Sequence, residues 1–69
     1  MKKLKRYRQF QGLSRVDLAR SVGVSAESIA RYERGDREPN ATTVEKLAAA
    51  LGITPNKLLG VGEDEKNAR

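Results

Sequence analysis

The apolar positions of this chain recur in short blocks at helical spacing, and glycines separate the blocks. Leu4 and Tyr7, then Leu18, Ala19 and Val22, then Ile29 and Tyr32, then Val44, Leu47, Ala48 and Leu51 fall at the intervals of three and four that line one face of an α-helix. Gly12, Gly23, Gly35 and Gly52 stand between or after these blocks, and Pro39 and Pro55 add further breaks. No stretch alternates apolar and polar residues with β-branched enrichment, so no strand is predicted. The pattern predicts an all-α chain of five short helices, the first four over about residues 2–10, 15–22, 25–34 and 41–51. The fifth begins at Pro55 and is anchored by Leu58 and Leu59.

The residues flanking each block agree with these limits. Gly12 is the expected stop of the first helix. Ser14 stands where an N-cap belongs, with Asp17 three residues on to complete the first turn and Leu13 placed to pack back as a hydrophobic staple. Ser25 caps the third helix, but Ser28 occupies the place where a glutamate would close a capping box, so that box is half made. Gly35 and Gly52 suit the left-handed residue that ends many helices. Thr54 caps the last helix, with Pro55 at its first position, where a missing N–H costs nothing. Beyond Gly60 the apolar pattern stops. Residues 1–60 are therefore expected to form the domain, and residues 61–69 a flexible acidic tail or a linker to an effector or dimerisation domain.

Composition narrows the chemistry. With 69 residues the chain is one small domain, near the lower limit for independent folding. It has no cysteine and no histidine, so no disulfide, thiolate metal site or imidazole base is available, and no cofactor or metal is expected. The carboxylates are scattered over predicted helix surfaces. No nucleophile–base pair emerges, which argues against an enzyme. No apolar run approaches the roughly 18 residues that span a bilayer, and the basic start lacks the apolar stretch of a signal peptide, so a cytoplasmic protein is the default.

Charge changes the picture more. The net charge is +5, and it is uneven: residues 1–37 hold ten Lys/Arg against four Asp/Glu, while residues 38–69 hold four against five. A basic first half points to a polyanionic partner, although a small domain also carries charge for solubility alone. The stretch that combines this charge with a specific architecture runs from Leu13 to Gly35. It contains two short helices joined by a tight turn at Gly23. Ala19 is small where the helices cross, and Val24 and Ile29 seat the second helix on the core. A second helix held this rigidly is what a groove about 12 Å wide admits. Glu27 and Arg31 share its outer face at i, i+4, with Ala26 and Ala30 beside them, while Ile29 and Tyr32 point inward.

These residues resemble the phage-repressor and Cro-type helix-turn-helix domains, also called xenobiotic-response-element regulators. The resemblance covers about Leu4 to Leu59. It rests on Gly12-Leu13-Ser14, Leu18-Ala19, Gly23-Val24-Ser25, Ile29, Tyr32-Glu33-Arg34-Gly35, Pro39 and Leu51-Gly52-Ile53 together. It implies a compact five-helix bundle and a regulator that represses or activates transcription through double-stranded operator DNA in a bacterial or phage setting, with repression the expectation here; one such unit covers too few base pairs to be selective, so a homodimer on a two-fold operator is expected. It further implies base contacts from Ala26, Glu27, Ala30 and Arg31, and phosphate contacts from Arg15, Ser25, Arg37 and Asn40. A buried ion pair between Arg8 and Glu33 would tie the first helix to the third. The sequence departs from the family at 26 and 27, where amides are common and Ala and Glu stand here, and at 15, where Gln is usual.

Several roles stay open at this level. Glu27 can accept from cytosine N4, orient Arg31, or form no more than an exposed helix pair with it. Ser14 and Ser25 are caps before they are anything else. The run Lys2-Lys3-Lys5-Arg6 is first a solvated face, and Phe10 is either a half-buried core residue or part of a protein interface. A protein-interaction module of the same fold, such as an antitoxin or coactivator, is the rival function. It would use the outer face of the third helix, or Phe10 and the last helix.

Overall fold

The computed structural model describes residues 1–60, all helices and connections. In chain order the elements are α1 (Lys2–Phe10), α2 (Arg15–Val22), α3 (Ala26–Arg34), α4 (Ala41–Leu51) and α5 (Pro55–Leu59), with no strand among the described residues. The fold is thus all-helical with five helices, as the spacing predicts; the acidic stretch at 61–69 lies outside the described residues.

Each helix begins at a side chain that satisfies an orphan amide, except α1, whose N-cap Met1 makes no side-chain cap bond. Ser14 and Asp17 form a reciprocal capping box at α2: Ser14 Oγ accepts from the Asp17 amide at 3.0 Å, and Asp17 Oδ2 accepts from the Ser14 amide at 3.4 Å. Ser25 Oγ accepts from the Ser28 amide at 3.0 Å, and the two serine hydroxyls lie 3.0 Å apart. The Ser28 side chain therefore meets the cap's hydroxyl and not its amide. Asn40 and Thr54 cap α4 and α5 in the same way. At Gly23 the chain takes φ 85°, which an L side chain rarely adopts, and its amide donates to Ala19 O at 2.8 Å to close α2 and turn the chain into α3.

The core is aliphatic. Leu4, Leu18, Ile29, Leu47, Leu51 and Leu58 are almost wholly withdrawn from solvent, with Ala19, Val22, Tyr32, Val44 and Ala48 filling between them. Burying each large side chain contributes roughly 1.5–3 kcal/mol, which is how a chain without staples holds together. One expectation is corrected and one open alternative is narrowed. Leu59 does not anchor α5: it is 53% exposed, because adjacent residues on a helix diverge by about 100° and Leu58 takes the inward direction. Phe10, left open between half-buried core and interface, is 85% exposed at the end of α1.

Polar contacts complete the framework. Gln11 Nε2 donates to Leu51 O at 3.1 Å, joining the end of α1 to the end of α4. The Met1 ammonium donates to Tyr32 O at 2.8 Å, joining the start of α1 to α3. No helix among the described residues is long and apolar enough to cross a membrane.

Candidate nucleic-acid interface

Nine residues at about 1.5 Å rise make α3 roughly 13 Å long, and a helix with side chains is about 10–12 Å across, dimensions that a B-DNA major groove accommodates. The inner face of α3 is set by Ile29, Tyr32 and Glu33, all buried. At about 100° per residue the opposite face consists of Glu27, Arg31 and Arg34, flanked by Ser28 on one side and Ala30 on the other.

Glu27 and Arg31 are joined. Arg31 Nη2 and Nε both donate to Glu27 Oε2, at 2.8 and 3.3 Å. The two side chains remain 71% and 49% exposed. The hydrogen bond from Arg31, and then its charge, hold the Glu27 carboxyl below the usual carboxylate range, and Arg34 adds to the pull against a slight opposing effect of burial. Glu27 therefore stays ionised at neutral pH. Ser25, Glu27, Ser28, Arg31 and Arg37 together line an open polar concavity of about 230 Å³.

Arg37 comes from the loop after α3, is exposed, and forms no ion pair among the described residues. Arg34 pairs with Asp36 at 2.9 Å on the surface.

Behind this face lies a buried charge cluster. Arg8 Nε donates to Glu33 Oε2 at 2.6 Å and Nη2 to Oε1 at 3.4 Å, while Nη1 donates to Leu13 O at 2.9 Å. The Arg8 and Glu33 side chains are 9% and 2% exposed. Arg15 joins them, with Nε donating to Glu33 Oε1 at 3.0 Å while its side chain stays about half exposed. Burial opposes the charge on Glu33, but the hydrogen bonds and charges of Arg8 and Arg15 outweigh it and hold its carboxyl below the ordinary range. No buried side-chain polar atom lacks a partner among the described residues.

The structure distributes the sequence-derived residues unevenly. Ser25, Glu27, Arg31 and Arg37 converge on the concavity. Ala26, expected on the outside, is half-buried against the core, because it sits only about 60° around the helix from Ile29. Ala30 is half-exposed at the flank. Asn40 caps α4 through Oδ1 at 2.8 Å from the Thr43 amide, which leaves only its NH2 to donate elsewhere. Arg15 is tethered to Glu33, a contact that no spacing rule announces. Ser28 and Arg34 were missed; both follow from helical geometry, Ser28 three residues before Arg31 and Arg34 seven after Glu27. Among the described residues no group of three or more potential ligands could hold a metal ion.

A capped pair of short helices, a glycine turn and an outward cationic helix face define a helix-turn-helix DNA-binding domain. The comparisons agree: a family model described as helix-turn-helix matches residues 4–58, and the chain belongs to that family of transcription regulators, in its Cro-type branch. Three similar proteins bear related names. An uncharacterized HTH-type transcriptional regulator of Methanocaldococcus jannaschii is 33% identical over 91% of this chain and 96% of its own length. An HTH-type transcriptional regulatory protein of Pyrobaculum aerophilum is 39% identical over 93% of this chain and 26% of its own. The HTH-type transcriptional regulator ImmR of Bacillus subtilis is 31% identical over 94% of this chain and 51% of its own. The chain thus spans nearly all of the first, a quarter of the second and half of the third.

Proposed function

We propose that this domain binds operator DNA sequence-specifically by inserting α3 into the major groove, and that it represses transcription as a homodimer in the cytoplasm. The observation that carries this reading is the outer face of α3. Ser25, Glu27, Ser28, Arg31 and Arg37 surround one polar concavity, and none of them is needed by the core. Arg31 suits guanine O6 and N7. Arg15, on the first turn of α2, and Arg37, in the loop after α3, suit phosphates on either side, with the Ser25 hydroxyl and the Asn40 amide as weaker partners. Two copies on half-sites about 34 Å apart would give the selectivity that one short helix lacks.

The test is a gel shift with random duplex DNA between about 50 and 200 mM salt. Affinity should fall steeply as phosphate-bound counterions are released, and the Arg15→Ala/Arg31→Ala double variant should bind weakly throughout. Affinity that is flat with salt would overturn the reading. The rival reading, a protein-interaction module, would dock through the exposed Phe10 at the end of α1. Under that reading the double variant would leave duplex binding, if any, unaltered.

A further inference from the structure

Glu27 lies on the face proposed to meet DNA, where phosphates repel carboxylates, and this makes it the most demanding residue of the site. Its geometry resolves the difficulty. Arg31 spends its Nε and one hydrogen of Nη2 on a single oxygen, Glu27 Oε2, at 3.3 and 2.8 Å. That contact occupies the Nε side of the guanidinium and leaves Nη1 and the far hydrogen of Nη2 without a hydrogen-bond partner among the described residues. We propose that Glu27 is a positioning residue that holds Arg31 end-on for a guanine, and that it does not itself read a base; this rests on the reading that α3 enters the major groove.

The pair is exposed on both sides, and exposed pairs of this kind add little to folding, so stability does not account for it. An arginine on a flexible stem loses conformational freedom when it docks, and one already held by a neighbour loses less. The carboxylate is kept ionised by Arg31 and Arg34, so it remains a strong acceptor at neutral pH while its charge is offset by theirs. Ser28 and Arg37 line the same polar concavity as the pair.

The experiment is selection of bound sequences from a random duplex pool by the full chain and by Glu27→Ala, Glu27→Gln, Arg31→Ala and Glu27→Ala/Arg31→Ala. The wild type should enrich a G·C pair in each half-site, and Arg31→Ala should lose that preference. Glu27→Ala should weaken preference at the same pair by about tenfold, within the discrimination that one bidentate arginine–guanine contact supplies. Glu27→Gln, which keeps an acceptor, should retain part of it. The double variant should be no worse than Arg31→Ala. All four variants should melt close to the wild type, since the replaced groups are exposed. Relaxation by Glu27→Ala at a different base pair, additive with Arg31→Ala, would show Glu27 reading a base directly and overturn the proposal. An unchanged preference would overturn it too. A wild-type pool with no enriched sequence would overturn the groove-binding reading itself, an outcome visible in the wild-type arm alone.

Discussion

Glu33 is shared by two arginines, and this makes the consequences of breaking the cluster unequal. In Glu33→Gln the side chain keeps its size and one carbonyl acceptor but loses its charge. Arg8 is then left buried with its guanidinium satisfied only by Leu13 O and a neutral amide. Removing one partner of a buried pair costs about 3–5 kcal/mol, and the retained acceptor places Glu33→Gln near 3. For a domain of this size that corresponds to a fall in Tm of roughly 12–24 °C. Arg8→Met removes the other partner but keeps the apolar stem, and Glu33 still has Arg15 at 3.0 Å. Its cost should be about half as large. Arg15→Ala leaves the Arg8–Glu33 pair intact and removes a half-exposed contact, for about 1 kcal/mol or less.

Thermal melts at neutral pH measure all three. Acidification provides an internal check. Because the folded carboxyl titrates below its unfolded value, the cluster's contribution is complete above the ordinary carboxylate value of about 4.3 and is lost as pH falls toward the lowered folded value. The gap between wild type and Glu33→Gln should therefore narrow below about pH 4. A Glu33→Gln melt within 2–3 °C of wild type, far from the ~12 °C minimum worked above, would refute the reasoning, as would Arg15→Ala proving the most damaging of the three.

Leu18→Ala empties a site with no solvent access and should cost about 2–5 kcal/mol in urea denaturation; a loss under about 1 kcal/mol would mean the core collapses onto α2. Gly23→Ala meets no atom within 4 Å, so its cost is backbone alone, about 1 kcal/mol from holding an L residue at φ 85°, read as a Tm about 4–8 °C lower. Phe10→Ser should leave Tm within about 2–3 °C of wild type, because the ring is exposed. A larger fall would show that the ring packs in solution.

The helices were legible because periodicity, caps and glycines agree at nearly every boundary: Ser14 with Asp17, Ser25, Thr54 with Pro55, and Gly23 where the chain must take a positive φ. What escaped was directional. Leu58 and Leu59 look equivalent as letters, yet only one can face inward. Ala26 reads as outward until its angle to Ile29 is worked out. Arg15 meets Glu33 across 18 positions of chain, and no local rule reaches that far; the Arg8–Glu33 contact was anticipated only through family resemblance. Asn40 carried a readable cap signal, an N-cap residue type immediately before the helical block at 41–51, beside the phosphate role that resemblance implied. The outer face of α3 was legible as a face, while the pairing that divides roles between Glu27 and Arg31 required coordinates.

The central claim is that the outer face of α3 is the surface that meets DNA. Its most direct test is to titrate an isotope-labelled sample with a selected duplex and follow the backbone amide resonances. The account predicts the largest shifts at Ser25, Glu27, Ser28, Ala30 and Arg31, with smaller ones at Arg15 and Arg37. Shifts concentrated at Phe10 and along α5, with α3 unmoved, would contradict it.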